Sequence, residues 1–78
     1  MMSASLRLQL DRIIDAPGVI TSLTRTLNAP AWPPVQVSGH GHKLSFAAET
    51  WEPLLRVRVE EALEETFEGP WRDLARWL

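Results

Sequence analysis

The sequence predicts an α+β fold, a three-stranded antiparallel sheet with two helices on one face, in the order strand–helix–strand–strand–helix, followed by a short C-terminal helical segment. Three observations predict it. Apolar and polar residues alternate in three short runs, the signature of strands with one wet face. Apolar residues recur at helical spacing in two longer runs. A glycine-bearing stretch, Gly39-His40-Gly41-His42, separates the second and third alternating runs and reads as the tip of a β-hairpin.

The first strand is the run in which Leu6, Leu8 and Leu10 alternate with Ser5, Arg7, Gln9 and Asp11. Asp15 then occupies an N-cap position, and Ala16 and Pro17 fit the first turn of a helix. Ile20, Leu23 and Leu27 continue that helix to Asn28, beyond which Pro30, Pro33 and Pro34 forbid it. Trp32 sits among those prolines as an aromatic anchor at the edge of the core. Val35 and Val37 begin the second strand, and Leu44, Phe46 and Ala48 define the inward side of the third. Thr50 is placed to cap the second helix, with Glu52 favourable to its dipole. That helix has a main stripe of Leu55, Val59, Ala62, Leu63, Thr66 and Phe67, and a second, narrower one of Leu54 and Val57. Gly69-Pro70 stops or kinks it, and residues 71–78 read as a short third helix or a bent continuation.

A chain of 78 residues is predicted to be one domain, residues 1–78, close to the size at which folding buries only about 60% of the unfolded surface. With no cysteine, disulfides, thiolate metal sites and thiol chemistry are excluded, leaving oligomerisation as the route to extra stability. No signal-like start or membrane-spanning run is visible, so a soluble cytoplasmic protein is expected. Residues 1–43 carry four cations against two acids, and residues 44–78 carry four against eight. An acidic second half repels phosphate, which argues against direct, independent nucleic-acid binding by that half.

No catalytic site is predicted. His40 and His42 could face one metal from an extended segment, but no third ligand lies nearby in sequence, and glycine-flanked turn geometry accounts for them as well. Glu60, Glu61, Glu64 and Glu65 lie at polar helix positions without the burial or charge partner that acid–base work requires. There is no phosphate-cradling loop and no nucleophilic triad pattern. Cofactors and metals are accordingly expected to be none. What stands out is apolar surplus: the second helix is apolar on more than one face, and Trp71, Leu74, Trp77 and Leu78 follow it. Surplus of this kind marks protein contact. Trp51 is expected in the core beside Phe46, and the predicted partner interface is Leu54, Leu55, Arg56, Arg58, Val59, Trp71 and Trp77.

The element order, the segment Val37-Ser38-Gly39, the run Phe46-Ala47-Ala48-Glu49 entering the second helix, and Leu54-Leu55-Arg56-Val57-Arg58-Val59 with Leu63 resemble the small dimerisation subunit family of the KEOPS complex, also called CTAG/Pcc-like. The likeness covers roughly residues 35–67 by local motif and the first strand and helix by topology alone. It implies a non-catalytic accessory subunit. Such a subunit holds the transferase subunit with its helices, pairs as a homo- or heterodimer with a related small subunit, and supports threonylcarbamoyladenosine modification of tRNA, touching tRNA only indirectly. Leu55, Arg56 and Val59 match the core of the family's second helix. Arg58 replaces a usual small hydroxyl residue and Glu61 a frequent asparagine, departures that imply a diverged paralogue. Two alternatives are a small regulatory module of another system, whose acidic helix engages a basic protein, and a weak RNA-binding domain. The latter would use Arg7, Gln9, Lys43 and His42 on the outward sheet face, which lacks a stacking aromatic.

If Val59 lies on the core stripe, Val59→Asp buries an unpaired charge and costs more than about 2 kcal/mol, measured by urea denaturation.

Overall fold

The computed structural model describes residues 3–11, 16–29, 34–67 and 69–78, with residues 16 and 17 described by backbone alone. The expectations for Asp15, Pro30, Trp32 and Pro33 lie outside the described residues. Elements follow the order β1 (Ala4–Leu10), α1 (Ala16–Asn28), β2 (Gln36–His40), β3 (Lys43–Ala48), α2 (Glu52–Thr66) and β4 (Ala75–Trp77). A single 3₁₀ turn, Trp71–Asp73, joins α2 to β4.

The fold is α+β with two helices on an antiparallel sheet, as the alternating runs require, but the sheet has four strands, in the order β2-β3-β1-β4. This is the split β-α-β-β-α-β arrangement. The expected C-terminal helix is therefore corrected. Ala75–Trp77 pairs with β1 in the register Leu8↔Trp77 and Leu10↔Ala75, and the Leu78 N–H donates to the Arg7 carbonyl. The physical reason is the edge of β1. With β3 on one side only, its remaining backbone groups would stay unpaired, and a three-residue strand satisfies them. Three residues are too few for alternation to be read from sequence.

Burial alternates along β1 and β3 as predicted, with Leu6 opposite Phe46 and Leu8 opposite Leu44 on the inner face. Gly41, at φ 62°, takes the first position of the two-residue turn between β2 and β3, a left-handed conformation that hairpin turns of this length favour. Gly39 belongs to β2 itself: a Cβ there would come within 2.9 Å of the Ile20 Cδ1 atom, so its bareness lets α1 lie close on the edge strand.

Leu23 and Leu27 of α1 are buried and Ile20 partly so. Where α1 ends, the Asn28 side chain donates to the Thr24 and Val35 carbonyls and accepts from the Val35 N–H. One amide thus closes the helix and pins the start of the hairpin. In α2, Leu55, Val59, Ala62 and Leu63 are buried, which fits the main stripe. Its N-cap is Trp51 rather than Thr50, without a side-chain cap, and the helix ends at Thr66 with Phe67 extended, before the glycine–proline pair. Among the described residues, the Thr66 hydroxyl is a buried side-chain polar atom with no hydrogen-bond partner in the chain.

Trp51 leaves its expected place in the core, while Trp71, for which the sequence allows either partner contact or packing on its own sheet, packs within the chain. Trp71 is buried to 1% exposure and its Nε1 donates to Glu64 at 3.2 Å. Trp51 is 63% exposed. Its position at the N-cap, in extended backbone, leaves the space beneath α2 to Leu55, while the turn after α2 carries Trp71 inward. Trp71→Ala is expected to cost about 3–5 kcal/mol in urea unfolding, whereas Trp51→Ala changes stability by about 0.5 kcal/mol or less.

Candidate partner interface on the second helix

The residues of α2 sort into sides by helical spacing. Leu55, Val59, Ala62 and Leu63 face the sheet. Glu52, Arg56, Glu60 and Glu64 form the side toward β4, and each is committed there. Arg56 pairs with Glu52 at 3.4 Å and lies 4.8 Å from the centre of the Trp77 ring. Arg72 bridges Glu60 and Glu64 while stacking 4.4 Å over Trp71. Exposed ion pairs contribute little singly, but the stacked guanidiniums also cover aromatic surface.

On the side toward α1, Arg58 donates to the Leu27 carbonyl at 2.7 Å, satisfying one of the terminal acceptors of α1 and placing a cation at its negative end. Arg58, Glu61, Ala62 and Glu65 face Arg25, Thr26 and Leu27 across an open groove of about 450 Å³. Beside this groove runs an apolar ridge. Trp51, Leu54 and Val57 recur at three-residue intervals and are 63%, 44% and 52% exposed. Leu78, at 63%, is the remaining exposed large apolar residue among those described.

The predicted interface set is thereby narrowed and corrected. Leu55, Val59 and Trp71 are buried at 0%, 0% and 1% and cannot meet a partner without unfolding. Trp77 is half-buried, edge-on to Trp71 at 5.8 Å. Arg56 and Arg58 are engaged within the chain. Of the apolar residues named from sequence, Leu54 alone remains presented. Val57 lies on the second apolar stripe but outside the interface set expected from sequence, and Trp51, expected in the core, is exposed. Its placement three residues before Leu54 was the available signal.

Among the described residues, no group of three or more His, Cys, Asp or Glu side chains is placed to hold a metal. The hairpin turn begins between His40, on β2, and His42. No helix is long and apolar enough to cross a membrane among the described residues. Comparison with protein-family models, with curated proteins and with solved structures finds no match to this chain.

Because the ridge is already wet, Leu54→Asp and Val57→Asp should each change the unfolding free energy by about 0.5 kcal/mol or less, measured by urea denaturation.

Proposed function

We propose that this chain is a non-catalytic association subunit whose partner docks on the α2 ridge of Trp51, Leu54 and Val57. The observation that carries this reading is the exposure of those three side chains after the core has been filled, including by Trp71 from the tail. Large apolar residues at successive turns of a well-anchored helix suit a partner helix laid alongside. The adjoining groove, lined by Arg25 of α1 and by Arg58, Glu61 and Glu65 of α2, supplies a polar rim of both charges.

The KEOPS-like likeness supplies a specific version of this reading. The chain would be an accessory subunit, a diverged paralogue, contacting the transferase subunit and pairing with a related small subunit. Its role in tRNA threonylcarbamoyladenosine formation would be architectural. Leu54 lies within the motif that carries the likeness, and it is presented to solvent. Arg58, one of the two departures from the family pattern, caps α1 instead of reaching outward.

The test is co-purification after co-expression with a transferase–kinase pair. An apolar contact should survive about 1 M salt, where charge attractions are screened beyond about 3 Å. Leu54→Asp with Val57→Asp should weaken capture by about tenfold or more. Loss of the complex at moderate salt would instead favour a charge-driven regulatory module. Failure to capture the pair at all would refute the KEOPS-like version.

A further inference from the structure

The strand register separates charge by face rather than by half of the chain. Across the outward side of the sheet, His40 lies opposite Lys43, Lys43 opposite Gln9, and Gln9 opposite Arg76, one row through all four strands. Arg7 belongs to the neighbouring row, with Ser45 and Ser38. With strands about 4.8 Å apart and residues about 3.4 Å apart along each, Arg7, Lys43 and Arg76 form a triangle roughly 8–10 Å on a side. All three are exposed, and no acidic side chain pairs with any of them among the described residues. On the helix side, Arg56, Arg58 and Arg72 are each engaged by a carboxylate or carbonyl of this chain, and Arg25 of α1 is exposed without an ion pair among the described residues. Among the described residues, acids approach the sheet face at its rims: Asp11 beyond β1, Glu49 beyond β3, and Glu52, which lines a shallow pocket with Ser5 and Arg7.

We infer that this face is a second binding surface, and that its ligand is the backbone of an A-form RNA duplex. Three features choose that occupant. The strand positions of this face hold no aromatic, so there is no platform for stacking single-stranded bases. Their one apolar side chain is Ala47, and just past β4 the exposed Leu78, whose N–H bonds the Arg7 carbonyl, adds a single apolar residue at the sheet's rim, too little for the dry centre of a protein interface. What the face does offer is unpaired cations interspersed with Ser5, Ser38, Ser45, Gln9 and Gln36 on a sheet surface. The wide, shallow minor groove of A-form RNA presents phosphates and 2′-hydroxyls to such a surface. The ridge on α2 lies on the opposite side of the molecule, so this surface does not depend on the partner proposed there and both can be occupied together.

Fluorescence anisotropy with a labelled RNA duplex, a DNA duplex of the same sequence and an acidic peptide tests this on the intact chain. The RNA duplex should bind at about 1–100 µM at about 50 mM salt, with a log–log salt slope of about −2 to −3 for three phosphate contacts. Arg7→Glu should weaken it about tenfold, while Arg25→Glu, an equal charge change on α1, should shift it by about twofold or less. Circular dichroism of both variants should match the parent. Equal weakening by the two variants, equal or tighter binding of the DNA duplex, binding of the acidic peptide without RNA, or no RNA binding at about 100 µM protein would each overturn the inference.

Discussion

The architecture depends on the return of the C-terminal chain beneath α2 to close the edge of β1. Trp71 is the anchor. It fills the space between α2 and the end of the sheet, and its indole N–H is held by Glu64. Once it is seated, the chain has only Arg72 to Leu74 in which to turn before Ala75–Trp77 reaches β1. The backbone bonds between β1 and β4, the stacking of Arg56 on Trp77 and the bridging of Glu60 and Glu64 by Arg72 all follow from that position. Burying one large aromatic contributes a few kcal/mol, a substantial share of the stability of so short a chain.

Closure also decides which surfaces are left for other molecules. With Trp71 inside, most of the exposed large apolar surface among the described residues lies on α2, where Trp51, Leu54 and Val57 stand clear of the core, and Leu78 is the part that stays at the C-terminal end. Closure brings Arg76 beside β1, so a cation from the acidic half of the sequence joins Arg7 and Lys43 on the sheet. The acids gather on α2, where several already neutralise arginines of the same chain. A helical side with an apolar ridge and a cationic sheet side are thus consequences of one folding event. They call for ligands of different chemistry.

The arginines show how poorly net charge describes a small domain. A surface reading would place Arg58 against a partner. Its guanidinium instead completes the carbonyl end of α1, whose terminal acceptors otherwise need water or a cap. Asn28 performs the related task for the segment that follows, holding both backbone groups of Val35. Neither role follows from residue type, because each depends on a backbone group brought close from elsewhere in the chain.

The sequence by itself determined the α+β class, the positions of β1, β3, α1 and α2, the hairpin, and the apolar stripe of Leu55, Val59, Ala62 and Leu63. These are local matters of period, turn chemistry and helix stops, which neighbouring residues dictate. It also determined that α2 carries apolar side chains on more than one face. Only the tertiary structure decided that residues 75–77 are a strand, that Trp71 is core while Trp51 is surface, and that Arg7, Lys43 and Arg76 meet on one side of the sheet. A three-residue strand has no readable period, and its conformation comes from the unpaired edge it finds. Which of two tryptophans is buried depends on which cavity remains when the sheet and helices meet, a volume that no local pattern records.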